Sequence, residues 1–380
     1  MTWELPDGYD DFRASCRAFV DAHLRPIVDA AELDPSLSLP AWRAAGEAGL
    51  MGLTVSSDVG GADADLKAVV VLAEELARAS GGLAITALGS SYMAAPHIVL
   101  HGSEEQKKRY LPEVCSGESL VSILVSEPGA GSDVAALTST AVPDHDGSWI
   151  LNGSKMFITN ASLSSIWIVA ARTDQDARHR GITTFLVDPK TPGISWGNPL
   201  PKMGWHASDT REVYLDDVRI PADAVLGEVN HGFYQTMAAF QEERTILAAM
   251  AVGHAVECLA LSRTYARERE VFGQKLIDLQ SVRHTLARME IALETARAAV
   301  YRAADRIDRQ HPEAHRSVAV AKYHAANVAN EVADSAVQLF GGMGFVEGTG
   351  VARHYRDARI LRIGGGTDEV QLEILSRLGA

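Results

Sequence analysis

The sequence predicts an α+β protein in which a sheet domain separates two helical domains. Apolar residues recur at three- and four-residue steps in the first and last thirds of the chain, whereas short β-branched or aromatic runs fill the middle. At 380 residues the chain also exceeds the usual size of one hydrophobic core. We therefore expect a helical domain at residues 1–118, an antiparallel β-domain at 119–225 and a C-terminal helical bundle at 226–380.

The N-terminal part is predicted to be helical from Tyr9 to about Glu118. Phe12 and Cys16 begin an amphipathic face with helical spacing. A break of small polar residues and two glycines at 57–61 predicts a turn before a second apolar helix. Ser103 has a hydroxyl that can accept hydrogen bonds from free backbone amides, so we expect it to cap the helix that follows.

The middle part is predicted to be a small, mostly antiparallel sheet. The pairs Asp146-Gly147 and Asn152-Gly153 tolerate positive φ and are typical of hairpin turns. Runs of β-branched or aromatic residues that predict strands lie at 123–125, 149–151, 156–158, 166–170, 183–187 and 212–215.

The helical period returns after Pro221 and continues to the end of the chain. Its longest stretch runs from about His231 to Arg269, where apolar residues form one stripe. Long helices with short breaks indicate an antiparallel bundle. Three consecutive glycines at 364–366 are flexible and Thr367 can supply a hydroxyl cap, so the last helix is predicted to begin at Thr367.

Composition limits the kinds of partner that we expect. A formal net charge of −14 argues against an electrostatic nucleic-acid binder and favours small-molecule ligands. Cys16, Cys115 and Cys258 are widely spaced and match no metal-site or disulfide pattern, so no metal is expected. The start, Met1 to Asp11, has no signal-peptide pattern and no apolar run approaches membrane-spanning length. We therefore expect a cytoplasmic protein that does not span a membrane.

Two adjacent glutamates on the longest predicted helix are expected to point in different directions. Arg244 lies within the apolar stripe and Glu243 beside it, whereas Glu242 projects to roughly the opposite side. A carboxylate on an inward face is costly unless it is paired, and sites of proton transfer often use such a group because its pKa is raised. Structural ion pairs inside bundles are more common, so both roles stay open for Glu243 on this evidence alone.

Two segments of the middle part combine glycine, aromatic and polar residues. Ser126–Asp133 follows a predicted strand, and its glycines let backbone amides approach an anionic or planar ligand closely. Lys155–Ala161 carries Phe157 and Thr159, which could stack on a flavin ring and hydrogen-bond its edge. A tight turn and a core aromatic are the more common explanations of either segment alone.

The C-terminal part has comparable segments. Arg269–Gly273, Gln280 and Gln338–Gly342 offer an arginine suited to a pyrophosphate and a glycine pair that permits close backbone approach. Gly364–Thr367 lies at a predicted helix start, where free amides favour negative charge. A helix-ending turn, a solvated arginine and a simple cap would explain the same residues.

Taken together, these segments resemble the acyl-CoA dehydrogenase family over essentially the whole chain. The motifs occur in the family's order and with family-like spacing, and they are Ser126–Asp133, Asn152–Asn160, Lys202–Thr210, Arg269–Gly273 and Gln338–Gly342. The resemblance implies an N-terminal helical domain, a middle β-domain and a C-terminal four-helix domain, assembled as a homotetramer of paired dimers.

The resemblance also implies that the protein binds FAD. The residues that it assigns to the flavin are Val125, Ser126, Gly131, Ser132, Phe157, Ile158 and Thr159. Those expected to reach the FAD of a neighbouring subunit are Arg269, Phe272, Gln280, Gln338, Leu339, Gly341 and Gly342. The C-terminal FAD contacts are Thr367, Asp368 and Glu369.

The reaction of the resembled family removes a proton next to a thioester carbonyl and transfers a hydride from the following carbon to flavin N5. It needs a base, an oxyanion site and a shielded flavin. Many members carry the base in the C-terminal loop at the position of Gly365, where this sequence has no carboxylate. In a subgroup that includes isovaleryl-CoA and long-chain acyl-CoA dehydrogenases, the base precedes an arginine on the long helix, as Glu243-Arg244 does here. The resemblance therefore assigns the base to Glu243 and an oxyanion donor to the Gly365 amide.

The expected substrate is an acyl-CoA, which becomes a trans-2-enoyl-CoA. The resemblance assigns its contacts to Ser132, Tyr234, Gln241, Arg244, Gly365 and Gly366, with Gln241 at a position where aspartate is common. An electron-transferring flavoprotein is the expected electron acceptor. Three alternatives stay open: an oxygen-using flavoenzyme of the same fold (an acyl-CoA oxidase or monooxygenase), a dehydrogenase of a carrier-protein thioester, and a non-catalytic binding protein.

Overall fold

The computed structural model describes residues 8–379. The first seven residues of the predicted N-terminal domain, and with them most of the segment from Met1 to Asp11 that lacks a signal-peptide pattern, lie outside the described residues. Helices precede and follow a central sheet along the chain, so the predicted order of helical, sheet and helical parts is confirmed.

The N-terminal part consists of short helices joined by tight breaks. The predicted break at 57–61 is present, and Gly60 adopts a φ of 94° there. Ser103 caps the last of these helices through a capping box in which its hydroxyl and the side chain of Gln106 exchange backbone hydrogen bonds. The helices are α1 (Tyr9–Phe19), α2 (Val28–Leu33), α3 (Leu39–Glu47), α4 (Leu66–Ala79), α5 (Gly81–Leu88), α6 (Ala95–His101) and α7 (Glu104–Cys115).

Two helical stretches are long and apolar enough on average to cross a membrane by length and composition alone, although polar or charged residues interrupt the apolar run in each. They are Gly81–His101 and Gly232–Glu268, and 83% of the apolar window of each is buried inside the protein. Helices at the centre of a bundle are apolar on most sides for the same reason as a membrane helix, because neighbours other than water surround them. Packing within the fold accounts for the composition of both.

An eight-stranded sheet follows the N-terminal helices. Its strand order is β6-β7-β3-β2-β4-β5-β8, and β1 also pairs with β4. The strands are β1 (Val121–Leu124), β2 (Thr140–Pro143), β3 (Trp149–Thr159), β4 (Ile166–Arg172), β5 (Ile182–Val187), β6 (Ile194–Trp196), β7 (Thr210–Ile220) and β8 (Val225–Leu226).

The sheet is mixed, although most of its neighbouring strands are antiparallel as predicted. β4 runs parallel to β1 along residues 166–169 and to β2 at a single pair, Thr140 with Arg172. Alternating burial in a sequence indicates which residues face a core, but it does not specify the direction of the partner strand. The sequence pattern therefore could not distinguish these parallel pairs.

Of the two hairpin turns predicted in the middle part, one is present and one is wrong. Asp146-Gly147 joins β2 to β3, and Gly147 has a φ of 85°. Asn152-Gly153 lies inside β3, where the register against β7 shifts and Gly153 has a φ of 145°. An Asn-Gly pair suits a bulge as well as a turn, since both need unusual backbone angles. A side chain at 153 would also begin 2.3 Å from the hydroxyl of Ser139.

The C-terminal part is a bundle around one long helix. The helix α8 packs on α4, α9 and α10, and every residue from Arg244 to Ala255 is buried, so contact extends well beyond the single predicted stripe. Thr367 caps the last helix through its hydroxyl, as predicted. The elements are α8 (Gly232–Glu268), β9 (Glu270–Val271), β10 (Gln274–Lys275), α9 (Gln280–Asp308), α10 (Ala314–Phe340), α11 (Val351–Ala358) and α12 (Asp368–Gly379).

Candidate active site

A cavity of about 1080 Å³ lies where the sheet, α8 and the segments around α5 and α12 meet. Ile85, Gly89 and Met93 close it on the side of the N-terminal helices. Gly89 and Met93 belong to a π-helical stretch, Gly89–Ala94, between α5 and α6, a distortion that is frequent at functional sites. The predicted site residues that line the cavity are Val125, Ser126, Gly131, Ser132, Phe157, Ile158, Thr159, Glu243, Arg244, Gly365 and Gly366.

A bulge in β3 directs Phe157 toward the cavity. The register between β3 and β7 shifts between Lys155 and Ile158, and Phe157 adopts a positive φ of 60°. Its ring is 63% exposed to the cavity instead of being packed in the sheet. The amide of Met156 donates to the carbonyl of Ser126 at 2.9 Å, so the strand and the glycine loop after β1 form one wall.

A buried ion pair fixes this wall from behind. The ammonium of Lys155, which is fully buried, donates to the carboxylate of Glu127 and to the carbonyl of Ala170, both at 2.7 Å. Glu127 also accepts hydrogen bonds from the backbone amides of Thr138 and Ser139. Burial alone would raise the pKa of Glu127, but the charge of Lys155 and these hydrogen bonds lower it to about 2.

Opposite the sheet, α8 presents Glu243 to the cavity. Glu243 is half-buried because it borders the cavity, and burial raises its pKa to about 7, although the positive charges of Arg244 and Lys322 oppose the rise. A carboxyl group with this pKa can take up and release a proton at neutral pH. Glu242 does not line the cavity, and the two glutamates point to different surroundings, as helical geometry predicted.

The loop of three glycines before α12 lies against Glu243. Gly365 has a φ of 67°, and a Cβ there would lie 3.6 Å from Oε1 of Glu243 and 2.6 Å from Cδ1 of Leu247. The guanidinium of Arg244 donates from Nε to the carbonyl of Gly365 at 2.9 Å. The Glu243 carboxylate thus stands next to the place where a side chain at position 365 would begin, and the glycine leaves room for it.

We expect Gly365→Ala to lower both stability and catalytic competence. A left-handed backbone costs about 1–2 kcal/mol for a residue with a Cβ, and the new methyl group would press on Leu247. The thermal midpoint should fall by several degrees in a scanning calorimeter. Gly364→Ala is the matched control, because its φ is not in the positive range and its nearest neighbour, the carbonyl of Ile360, would be 3.7 Å away. Equal thermal midpoints for the two variants would contradict the prediction.

The residues assigned to a neighbouring subunit's FAD do not line the cavity. Phe272 is 96% exposed at the tip of the β9–β10 turn, and the ends of α8 and α10 are held together by stacking of Tyr265 on Phe340. Contact with another subunit's FAD stays a prediction for this set, which is Arg269, Phe272, Gln280, Gln338, Leu339, Gly341 and Gly342.

Several other predicted contacts also lie outside the cavity. Tyr234 faces a separate surface groove of about 750 Å³, and Gln241 is half-buried on α8. At the start of α12, Thr367 caps the helix and Glu369 is exposed, whereas the carboxylate of Asp368 accepts a hydrogen bond from Arg362 at 2.6 Å. Their roles toward substrate or FAD stay predictions.

The structure adds residues near the site that the sequence did not single out. His315 on α10 lines the cavity. Lys322, on the same helix, is buried and donates from Nζ to the carbonyl of Gly366 at 2.7 Å. Lys322 was detectable in principle, since it interrupts an apolar stripe that continues through Val318 and Ala325 at helical spacing. His315 carries no comparable sequence signal.

No cluster of three or more histidine, cysteine or acidic side chains within residues 8–379 is arranged to hold a metal ion. A cavity that is walled by Phe157 and bordered by a glycine loop instead suits a planar cofactor. Open space surrounds the position where a Cβ on Gly131 would lie, so the backbone of that loop is accessible to a ligand. These features fit the isoalloxazine ring and ribityl chain of FAD.

Comparisons with known proteins agree with these features. Family models described as acyl-CoA dehydrogenase N-terminal, middle and C-terminal domains match residues 6–118, 122–218 and 230–379. The chain is 39% identical to the mitochondrial short-chain specific acyl-CoA dehydrogenase of Bos taurus, over 97% of this chain and 89% of the relative.

Solved structures extend the similarity to the whole fold. Butyryl-CoA dehydrogenase from Megasphaera elsdenii superimposes with a TM-score of 0.94 at 36% identity, covering 100% of this chain and 99% of that one. An acyl-CoA dehydrogenase from Bacillus anthracis, solved in complex with FAD, gives a TM-score of 0.93 at 29% identity, covering 99% of this chain and 67% of the other. The cavity, its glycine loops and the full-length matches together establish that this chain belongs to the acyl-CoA dehydrogenase family of FAD-dependent oxidoreductases.

Proposed function

We propose that this protein dehydrogenates an acyl-CoA thioester between its α and β carbons, giving the trans-2-enoyl-CoA, with Glu243 as the base. The observation that carries the proposal is the position of the Glu243 carboxyl group, which lines the cavity beside the glycine loop and has a pKa raised to about 7. A base with a pKa near the working pH combines sufficient basicity with a sufficient ionised fraction.

The chain's own residues supply the proton transfer and the orientation of the thioester. The carboxylate of Glu243 takes the α-proton, and the electron pair of that C–H bond forms the new double bond. The backbone amide of Gly365, a residue that lines the cavity, is the proposed donor that stabilises the negative charge developing on the thioester oxygen. FAD, when bound against Phe157, supplies the acceptor for the hydride that leaves the β-carbon.

Placement of the base on the long helix assigns this chain to the subgroup that lacks a carboxylate in the C-terminal loop. The glycine at 365 supports this assignment, because it carries no side chain, and the place where a Cβ would lie is 3.6 Å from Oε1 of Glu243. Carboxylates at both positions would bring two like charges into the same cavity, which would raise the pKa of one of them. Glu243, which lines the cavity beside the loop, is therefore the proposed base.

An electron-transferring flavoprotein is the proposed electron acceptor, and a homotetramer is the proposed assembly. Both proposals rest on the family resemblance. Phe272 and the glycines that end α10 are exposed in the single chain. This exposure supports the proposed assembly, because the resemblance assigns these residues to contacts with the FAD of a neighbouring subunit.

The proposed reaction is tested by mixing the purified holoenzyme anaerobically with short, long, branched and aromatic acyl-CoAs. We expect at least one class to bleach the flavin absorbance at a rate that stopped-flow absorbance resolves, with the enoyl-CoA as product. Bleaching by a carrier-protein thioester but by no acyl-CoA would contradict the proposal on substrate. Turnover in air that releases peroxide at the rate of enoyl formation would indicate an oxidase instead.

A further inference from the structure

Lys322 is a buried lysine near the cavity that takes no part in the proposed proton and hydride transfers. Its side chain is 1% exposed, and its Nζ donates to the carbonyl of Gly366 at 2.7 Å. Burial lowers the pKa of Lys322 to about 8, which leaves the amine mainly protonated at neutral pH. A buried ammonium is costly unless it is compensated, and a single carbonyl uses only one of its three donors.

Two cations hold the glycine loop from the side of the bundle. Arg244 donates to the carbonyl of Gly365 at 2.9 Å and Lys322 to that of Gly366 at 2.7 Å, and Nε2 of Gln371 also donates to the Gly366 carbonyl at 3.1 Å. Within the described residues, no protein acceptor pairs with the amides of Gly365 and Gly366. The loop therefore has its carbonyls engaged and its amides available to a ligand in the cavity.

The same two cations surround the carboxyl group of Glu243. Arg244 adjoins it on α8, and Lys322 faces it from α10. His315, also on α10, borders the cavity. Asp368 at the start of α12 partly offsets the charge of Lys322, whereas Arg362, which pairs with Asp368 at 2.6 Å, opposes protonation of the lysine. Arg244 and Lys322 are therefore both sources of positive potential beside the base, and Lys322 is the one that comes from a different helix.

We propose that Lys322 is a positioning residue, which holds the glycine loop in the conformation that presents its amides and keeps a positive charge behind Glu243. This inference rests on the proposed function of the same cavity. A role limited to stability would require only the bond between α10 and the loop. The proposed role requires in addition that the charge of Lys322 affects the proton affinity of Glu243.

Two substitutions separate the hydrogen bond from the charge. Lys322→Met removes both, whereas Lys322→Gln removes the charge and retains an amide donor. The rate of flavin reduction should be measured from pH 5.5 to 9 with the acyl-CoA that reduces the wild type, together with FAD content and the thermal midpoint. Lys190→Met, which removes one exposed lysine in the turn after β5, is the charge-matched control.

We expect the acid limb of the rate profile to move to higher pH in both Lys322 variants, because the ionised form of Glu243 loses a favourable charge. The limiting rate should fall about 10- to 100-fold in Lys322→Met, which removes a charge-assisted hydrogen bond entirely, and by less in Lys322→Gln, which keeps a neutral donor. Lys190→Met should match the wild type in both respects. An unchanged acid limb in Lys322→Gln would overturn the proposal, even if Lys322→Met failed to fold.

A direct titration keeps this inference separate from the proposed function. The infrared carboxyl band of the wild type minus that of Glu243→Gln reports protonation of Glu243 without turnover, and repeating it in a Lys322→Gln background measures the same pKa. We expect a higher pKa in that background. If no acyl-CoA reduced the wild type, the proposed function would fail while this titration still decided the role of Lys322.

Discussion

Glu243→Gln is expected to abolish reduction of the flavin by substrate while leaving FAD bound. Glutamine keeps the size of the side chain and its place beside Gly365, but it cannot accept the α-proton. General-base catalysis contributes about 10²- to 10⁴-fold to a rate, so the rate constant for flavin bleaching should fall by at least about 10²-fold. Anaerobic stopped-flow absorbance measures this loss, and the ratio of flavin to protein absorbance confirms that the cofactor is retained.

Glu242→Gln is the matched control, since it makes the same chemical change one residue away. Glu242 points away from the cavity, and burial and the charge of Asp308 raise its pKa without placing it near the glycine loop. We expect this variant to reduce its flavin at close to the wild-type rate. The assignment of the base is wrong if Glu242→Gln is the inactive variant and Glu243→Gln reduces normally.

Lys155→Met is expected to cause the largest loss of stability among the substitutions considered. It leaves the carboxylate of Glu127 buried without its counter-ion, and breaking a buried ion pair in this way costs about 3–5 kcal/mol. The glycine loop after β1 should lose its anchor with the pair, so FAD should dissociate more readily. Thermal scans that follow both flavin fluorescence and circular dichroism would record the two effects.

The stability of this region should also depend on pH in a defined direction. The pKa of Glu127 is lowered from 4.5 to about 2, so its contribution to stability is fully present above pH 4.5 and is lost as pH falls toward 2. Lys155→Met should remove most of that dependence. Lys107→Met is the control, because its partner Glu104 is exposed and a surface pair contributes about 1 kcal/mol or less. Similar losses in the free energy of unfolding for both variants would show that the buried ion pair contributes no more to stability than the surface pair.

Much of the fold followed from local sequence patterns. Helical periodicity located α8 to within a residue at each end, and the Ser103 cap marked the start of α7. The sequence did not predict which neighbouring strands are parallel, because alternating burial is the same for parallel and antiparallel partners. The Asn152-Gly153 pair was assigned to a turn for a related reason, since its backbone preference suits a bulge equally well.

The site was predictable where a residue's role depends on its own helix or loop. Glu243 and Glu242 were separated by helical geometry alone, and both flavin-wall segments line one cavity. The sequence did not predict a role for Lys322, although this lysine interrupts an apolar stripe. Its role depends on the hydrogen bond to Gly366, and only the tertiary structure shows that contact.

The sequence by itself determined the family, the alternation of helical and sheet parts, and the glutamate that points inward. These features depend on the order of residues along the chain and on the fixed rotation of a helix. Only the tertiary structure paired Lys155 with Glu127, brought the Gly365 loop to the Glu243 carboxylate and set two cations behind it. The partners in each case are separated by tens of residues, and local periodicity carries no information about which distant segments pack together.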